Sequence, residues 1–436
     1  MSFPAFFQGR FRRPRVFAAV AALLLLAFAF GLWRLLGTRR ETSLLAWGTP
    51  GERVSIEKLL GEFARRHWRV KTTLETVSDP TLAAEALLER AREGKAPDAA
   101  FVRAGDLDAL LAAKALQPIV SAAGKESSGQ ITALRSAFER DGKTFALPIG
   151  WSALMLYYDR ALFESRGIPL PQEFWDWGDL LAAAQTLTQN DGGGAGTIRD
   201  GLALEGSAEE IAAFIWQNRG QLTDEKGAWT LTDPRFAQSN EEALRFYASL
   251  VNEHRVASLP GSGDAFARFA SKRAAMAIGS RAWAAKLAEI QALDWDLAPL
   301  PKGRESATCL EAFGVGTPRG AGSLGAGAQL AIFLARETAQ AVLAAHGGMA
   351  PARVPLLSSK IFTDFPPRRP ARNAALVRSL PFARTLGFGP RAREASARLA
   401  AEARALMADP KASARAALER LQADLEKLRE SPAPGR

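Results

Sequence analysis

Short apolar runs alternate with amphipathic stripes along this chain. The run Leu44–Trp47 is typical of a buried strand. Over residues 56–63 the apolar side chains recur at i, i+3, i+4 and i+7, which is one face of a helix. The preceding Thr49–Glu52 reads Thr-Pro-Gly-Glu, a capping box with proline at the first helical position. These signals predict a strand followed at once by a helix.

The same alternation continues through the first third of the chain. Strand patterns near 70–74 and 99–102 are separated by a helical pattern that Gly94 closes. This strand-helix-strand succession predicts an α/β fold, with a mostly parallel sheet covered by helices. Ligands of such sheets bind beyond the carboxyl ends of the strands.

The stretch 148–188 combines a buried strand with two capped helices. Leu154–Tyr158 reads as the strand, and its two adjacent tyrosines are expected to point to opposite faces and to pack in the core. Asp159 opens a short helix, and Asp176 is the expected N-cap of the next one.

An uncharged apolar run occupies the N-terminal region. Val16–Trp33 holds 18 uncharged residues and follows four arginines. At about 1.5 Å per residue, a helix of this length spans roughly 27 Å, close to the hydrocarbon core of a membrane. The run predicts a transmembrane or signal-anchor helix over 16–36, with the main domain in the periplasm or outside the cell. Cleavage after Ala29, which would give a secreted form, is the alternative.

The positive charge of the chain is concentrated at its N-terminus. Residues 1–40 contain seven arginines and no acidic residue, and removing them from the net charge of +10 leaves +3 for the rest. A surface that binds phosphate backbones needs a larger basic excess. The charge distribution therefore predicts no nucleic-acid partner.

Residues suited to catalysis or metal binding are sparse. The three histidines, His67, His254 and His346, lie too far apart in the sequence for a metal motif, and the single Cys309 reads as a small buried residue. Residues 320–325 match G-x-G-x-x-G, but no βαβ unit with a ribose-binding acid follows, so a glycine-rich turn is the better interpretation. The sequence therefore predicts no cofactor, no metal and no enzymatic activity.

Several segments, in one order along the chain, carry a resemblance to a known family. Residues 154–188 hold the strand and the two capped helices just described, with a loop marked by Pro169 and Pro171 between the helices. Residues 266–283 contain Met-Ala-Ile-Gly-Ser at 276–280 and end at Trp283, and residues 294–301 read Asp-Trp-Asp-Leu-Ala-Pro-Leu-Pro. Residues 348–353 read Gly-Met-Ala-Pro-Ala-Arg. Together they resemble the bacterial family 1 extracellular solute-binding proteins, which are the maltose-binding-protein-like receptors of ABC importers.

The resemblance implies a type II periplasmic binding fold, in which two discontinuous lobes enclose a cleft. Chain crossovers are then expected near 149–152, 310–314 and 348–353. Lobe I would comprise 43–150 and 311–350, and lobe II would comprise 151–310 and 351–436. Residues 1–42 would form a cytoplasmic stub, the membrane anchor and a linker.

Candidate ligand-binding residues are aromatic and polar side chains near the predicted strand ends and crossovers. Indole faces suit the apolar faces of sugar rings, and charged side chains can make bidentate hydrogen bonds to hydroxyl groups. Positions that match Trp47, Trp151 and Trp283 often face the ligand in the family. The full candidate set is Trp47, Thr49, Arg103, Asp106, Trp151, Ser152, Trp216, Trp283, Glu311 and Arg353.

The resemblance implies a receptor that closes on a sugar or oligosaccharide and delivers it to the transmembrane subunits of an ABC permease. A polyol phosphate is a further candidate ligand because Arg103 and Arg353 could bind an anionic group. Two alternatives stay open, a membrane-anchored sensor with the same fold and a hydrolase that uses the same cleft. A hydrolase requires a nucleophile and a base that converge in the cleft, and the sequence does not point to such a pair.

Overall fold

The computed structural model describes residues 24–27, 40–67, 70–119, 129–190, 197–261, 264–322, 324–345, 348–364 and 373–431. Within these ranges the protein is an α/β structure, with one large mixed sheet and helices packed against it.

The strands are β1 (Arg40–Trp47), β2 (Val70–Val77), β3 (Ala99–Arg103), β4 (Leu116–Gln117), β5 (Glu139–Arg140), β6 (Lys143–Thr144), β7 (Ala146–Asp159), β8 (Gln189–Asn190), β9 (Thr197–Ala203), β10 (Ala274–Ser280), β11 (Trp295–Ala298), β12 (Thr308–Pro318), β13 (Ala350–Pro351) and β14 (Ala383–Arg384).

The α-helices are α1 (Pro50–Arg66), α2 (Ala83–Arg92), α3 (Leu107–Ala112), α4 (Thr132–Ser136), α5 (Arg160–Ser165), α6 (Trp177–Leu187), α7 (Ala208–Gln217), α8 (Ala237–Asn252), α9 (Ala265–Ala270), α10 (Trp283–Leu287), α11 (Leu324–Leu334), α12 (Glu337–Ala344), α13 (Lys360–Thr363), α14 (Asn373–Ser379), α15 (Ala392–Ala408) and α16 (Ala414–Glu430).

The large sheet follows the order β2-β1-β3-β12-β7-β10-β9-β8. β1 pairs in parallel with β2 and β3, and β9 pairs in parallel with β10. In the centre, β12 runs antiparallel to β3 and to β7, and β7 runs antiparallel to β10. The sheet is therefore mixed where the sequence predicted a mostly parallel one, because the chain returns between its two halves along β12.

β7 and β12 join the two halves of the sheet. The first part of β7 and residues 313–316 of β12 pair beside β3, whereas residues 154–158 of β7 pair with β10. β13 lies beside this crossing, since it pairs with β7 at Trp151 and Gly150. We call the half that contains β1–β3 the first half and the half that contains β8–β10 the second half.

Three apolar clusters fill the interior. One lies in the first half and includes Phe63, and one lies in the second half and includes Phe214 and Tyr158. The third cluster contains Trp151 and Tyr157 and draws buried residues from both halves. The two adjacent tyrosines thus pack in different clusters, as the alternation of a strand requires.

Local capping chemistry explains where several helices begin. The Thr49 hydroxyl accepts a hydrogen bond from the Glu52 N–H at 3.4 Å, and the Glu52 carboxylate accepts one from the Thr49 N–H at 2.7 Å. The Asp159 carboxylate caps α5 by accepting a hydrogen bond from the Leu162 N–H, and Asp176 caps α6 in a reciprocal capping box with Asp179. These caps satisfy N–H groups that have no partner within the helix, so the sequence predictions of these three helix starts are confirmed.

The predicted anchor over residues 16–36 falls almost wholly outside the described residues. Residues 24–27 are the described part of it, and they are helical. Within the described ranges, no helix has both the length and the apolar character needed to cross a bilayer.

Candidate functional site

Three adjoining cavities, of about 230, 220 and 210 Å³, lie between the two halves of the sheet. Thr81 and Glu311 line all three, so the cavities form one continuous space, which we call the cleft. Its walls are the segments that follow β1, β2 and β3 in the first half and β9 and β10 in the second. The cleft therefore lies at the carboxyl ends of strands, where open α/β sheets bind ligands.

An ion pair between Arg103 and Glu311 lies in the cleft. Arg103 is the last residue of β3, and Glu311 lies on β12 where that strand passes between the halves. Burial lowers the pKa of Arg103, but the negative charges of Glu311 and Asp106 outweigh it, so the pKa lies above its usual value. Burial raises the pKa of Glu311 although Arg103 opposes this. The guanidinium thus remains charged, with part of its charge neutralised by its partner.

Two further carboxylates face this ion pair. The Asp106 Oδ2 lies 3.9 Å from the Arg103 Nε, and Glu209 lines the second and third cavities from the first turn of α7. Burial raises the pKa of Asp106, the positive charges of Arg103 and Arg393 oppose this, and the negative charge of Glu209 adds to it. Three carboxylates therefore surround one guanidinium.

Trp283 forms an aromatic wall of the first and second cavities. Its ring lies 5.5 Å from that of Tyr157 and 5.4 Å from that of Phe266, measured between centroids. A Cβ at Gly279 would overlap the indole, so the absence of a side chain there allows Trp283 to lie against β10. The ring is half-buried and held on two sides, which presents a rigid aromatic surface to a ligand.

Trp47 and Thr49, two of the candidate residues from the sequence, line the first cavity. Trp47 is 5% exposed, and its ring packs at 5.1 Å from Phe101 and 5.4 Å from Phe313, so most of it belongs to the core of the first half. Thr49 accepts the capping hydrogen bond described above, and its hydroxyl can still donate to a ligand.

Ser152 lines the second cavity from β7. Its hydroxyl lies 2.7 Å from that of Ser280, and the Tyr157 hydroxyl donates to the Ser280 carbonyl at 3.0 Å. Ser152 stands opposite Glu311 in the β7–β12 pair. The two crossing strands thus place one hydroxyl and one carboxylate side by side on the floor of the cleft.

Three predicted site residues lie elsewhere and do not line the three cavities. Trp151 is 0% exposed, and its Nε1 donates to the Pro351 carbonyl at 3.0 Å. Trp216 is buried within the core of the second half, and Arg353 is buried with its Nε bonded to the carbonyl that follows α11. The alternation of side chains along a strand explains why Trp151 is buried away from the cleft, because its neighbour Ser152 faces the cleft.

The segment that follows β9 was not predicted from the sequence to line the cleft. Glu205, Ser207 and Glu209 all line the second cavity. They stand beyond the carboxyl end of β9, so the strand-end rule would have found them had β9 been predicted. Ser207 and Glu210 also form a recognisable capping spacing, with the Ser207 hydroxyl accepting from the Glu210 N–H at 3.2 Å.

A second missed contribution comes from the C-terminal helices. α15 brings Arg393 to the third cavity, where its guanidinium donates to the Thr81 carbonyl at 2.6 Å and pairs with Glu85 at 3.0 Å. α15 packs on α7 and α8 of the second half, so this contact joins the two halves beside the cleft.

Glu210 is a buried carboxyl at the edge of the second cavity. It accepts hydrogen bonds from the backbone N–H groups of Glu205 and Gly206 at 3.0–3.1 Å and from the Tyr247 hydroxyl at 2.5 Å. Burial raises its pKa to about 8. Burial together with the negative charge of Asp264 raises the pKa of Glu205 to about 7. Both carboxyls therefore bind protons near neutral pH.

The cleft combines an aromatic face with hydroxyl, carboxylate and guanidinium groups. This arrangement can bind a small polar solute through stacking and hydrogen bonds. Among the described residues, no group of three or more His, Cys, Asp or Glu side chains is placed to hold a metal ion.

A family model described as bacterial extracellular solute-binding protein matches residues 58–366. The matched range includes both crossing strands and most of the cleft. Trp47 and Thr49 precede it, and the C-terminal helices that carry Arg393 follow it.

Several solved structures are similar to this one over nearly their whole length. An ABC substrate-binding protein from Listeria monocytogenes in complex with cycloalternan has a TM-score of 0.79 and 20% identity, and the match covers 89% of this chain and 98% of that chain. A solute-binding protein from Thermotoga lettingae bound with α-D-tagatose has a TM-score of 0.77 and 16% identity, covering 89% and 99%. UgpB from Mycobacterium tuberculosis in complex with glycerophosphocholine has a TM-score of 0.76 and 18% identity, covering 88% and 98%. These likenesses show the two-lobe fold.

A protein from Brucella abortus (strain 2308) that is named as a binding protein is 31% identical over 113 residues. The match covers 26% of this chain and 26% of that relative. The chain therefore matches about a quarter of the length of this curated relative.

Proposed function

The chain belongs to the bacterial extracellular solute-binding protein family, and from this premise we propose that it is the substrate-binding receptor of an ABC-type importer. The receptor captures a sugar or oligosaccharide in the cleft, closes around it and delivers it to the transmembrane subunits of a permease. No bond of the ligand is made or broken.

This proposal rests on the observation that both halves of the sheet contribute side chains to the cleft. Thr49, Thr81 and Arg103 come from the first half, and Glu209 and Trp283 come from the second. A ligand that contacts both walls favours the arrangement in which the walls are close together. Binding therefore shifts an equilibrium between open and closed arrangements.

The side chains of the cleft favour a carbohydrate. Trp283 offers a flat apolar face for a sugar ring, and Thr49, Ser152 and Glu311 offer partners for its hydroxyl groups. The Listeria monocytogenes and Thermotoga lettingae structures described above are bound to cycloalternan and α-D-tagatose, which supports the same ligand class here.

The polyol phosphate considered from the sequence has less support. Arg103 is paired with Glu311, and Asp106 stands close to it, so little positive charge remains for a phosphate. Arg353 does not line the cleft. An anionic ligand would therefore meet repulsion from the surrounding carboxylates.

We also propose the lobe boundaries given by the family resemblance, 43–150 with 311–350 and 151–310 with 351–436.

We further propose that the N-terminal segment 16–36 anchors the chain, with the cleft outside the cytoplasm, because its 18-residue apolar run follows four arginines. Cell fractionation of the full-length chain tests this anchor, and we expect the protein in the membrane fraction after a carbonate wash. A soluble periplasmic protein that begins at Phe30 would contradict it.

The receptor function is tested by screening a panel of carbohydrates for binding to the purified full-length chain. A ligand specific for the folded state, present at 100 times its Kd, stabilises the protein by about 2.7 kcal/mol. We expect at least one sugar or oligosaccharide to raise the melting temperature and to reduce the radius of gyration in small-angle scattering.

Replacing Trp283 with alanine should weaken the binding of that carbohydrate by about 1–3 kcal/mol, since the ring is lost from two cavity walls.

Trp177→Ala is the matched control. Trp177 is also half-buried and stacks on Phe246 at 4.5 Å, but it does not line the three cavities. We expect this variant to lose stability and to keep its affinity. Melting and scattering curves that no carbohydrate changes, or conversion of a carbohydrate to product by the purified chain, would refute the proposed function.

A further inference from the structure

The cleft has an acidic excess in a chain whose net charge is +10. Seven carboxyl side chains line its three cavities, against three cationic ones. If Glu205 and Glu210 hold protons, five carboxylates still face three cations. The negative character therefore belongs to this site, and it is opposite in sign to the rest of the molecule.

Each cation of the cleft is already engaged. Arg103 pairs with Glu311 and stands close to Asp106. Arg393 pairs with Glu85, which lies outside the cavity lining. The Lys286 ammonium lies 5.5 Å from the centroid of the Phe266 ring, over its face. Arg103 and Arg393 are thus offset by carboxylates, whereas Lys286 keeps its full charge, and the carboxylates of the cleft still outnumber its cations.

Glu209 contributes negative charge to two of the three cavities. It lines two cavities, and in the described part of the chain its carboxylate makes no hydrogen bond and no ion pair. Its charge is felt by Asp106 and Glu311, whose pKa values burial and this neighbour both raise. Arg103 already pairs with Glu311 and stands close to Asp106, so Glu209 is the carboxylate of these three that a positive group of the ligand would compensate.

The first cavity adds an aromatic surface beside acidic groups. Trp283 lines it together with Glu52 and Asp79. Ammonium groups are attracted to the face of an indole, and the attraction grows when water is excluded.

We infer that the ligand of the cleft carries a protonated amine beside its hydroxyl groups, which places it in the class of amino sugars and their oligomers. This inference rests on the proposed function and narrows its ligand class. The amine lies beside Glu209, and the sugar ring lies against Trp283, which lines the second cavity together with Glu209.

Three matched trisaccharides test the inference by calorimetry on the purified full-length chain. They are the β-1,4 trimer of glucosamine, its fully N-acetylated form, and maltotriose, each measured at a pH at which the glucosamine amines are protonated. We expect the glucosamine trimer to bind at least tenfold more tightly than the neutral N-acetylated trimer. Added salt should reduce this difference, because screening weakens charge interactions.

Glu209→Gln keeps the size of the side chain and removes its charge. We expect it to remove most of the preference for the glucosamine trimer over the N-acetylated trimer. Glu225→Gln, at an exposed residue that does not line the three cavities, is the matched control and should keep the preference. Thermal melting of both variants checks that they fold.

The outcomes separate this inference from the proposed function. Equal binding of the charged and neutral trimers, or tighter binding of a neutral one, overturns the inference and leaves the carbohydrate receptor in place. Spermidine serves as a cation without a sugar ring. If spermidine binds and no trisaccharide does, the carbohydrate proposal fails, but the inference that the ligand is positively charged is kept. If no probe binds, both the carbohydrate proposal and the inference fail.

Discussion

Two neighbouring residues of β7 have opposite roles. Ser152 lines the second cavity and lies 2.7 Å from the Ser280 hydroxyl, whereas Trp151 is fully buried in the cluster that joins both halves. Successive side chains of a strand point to opposite faces, so one of the two can face the cleft while the other packs. The indole of Trp151 also satisfies its own N–H through the Pro351 carbonyl on β13.

Replacing Trp151 with alanine should therefore destabilise the protein without removing a ligand contact. Loss of a fully buried aromatic side chain costs about 3–5 kcal/mol of unfolding free energy. Urea denaturation measures this loss, and calorimetry at a temperature where the variant is folded should give an affinity close to that of the wild type. A large loss of affinity at unchanged stability would instead place Trp151 against the ligand.

At the scale of elements, the connection between the halves is compact. β7 and β12 cross side by side, and β13 packs so closely on β7 that a Cβ at Gly150 would lie 2.7 Å from the Met349 Cγ and 2.9 Å from the Ala350 carbonyl oxygen. Three chain segments thus meet at a few residues. Such a small set of residues can absorb the change of backbone angles that closure of the cleft requires.

The same elements show how far the sequence could predict the structure. The starts of α1, α5 and α6 were predictable, because each depends on a cap and its own first turn. The contact of Arg393 with Thr81 was not, since the two residues lie 312 positions apart and packing of α15 alone brings them together. The burial of Trp151 was not predicted, because the strand that contains it is longer than the run 154–158 and its alternation was not followed back to the crossover.

At the scale of the whole molecule, protons link folding to pH. Burial raises the pKa of Glu210 to about 8, above its ordinary value of 4.5, and burial with the charge of Asp264 raises that of Glu205 to about 7. The folded state therefore binds protons that the unfolded chain releases between about pH 4.5 and pH 8. Their contribution to stability is fully present below the unfolded pKa and is lost as the pH rises through the folded values.

Glu210→Gln should flatten this pH dependence. Glutamine has the same size and still offers an oxygen to the Gly206 N–H, but it cannot release a proton above pH 8. Urea denaturation at a series of pH values should show that the wild type loses at least about 1 kcal/mol more than the variant between pH 5.5 and pH 8.5. Glu225→Gln, at an exposed site, should keep the wild-type slope. If the unfolding free energy has the same slope against pH in the wild type and in Glu210→Gln, the buried carboxyl does not titrate in this range. The pH dependence would then have to be assigned to Glu205 and to the carboxylates around Arg103.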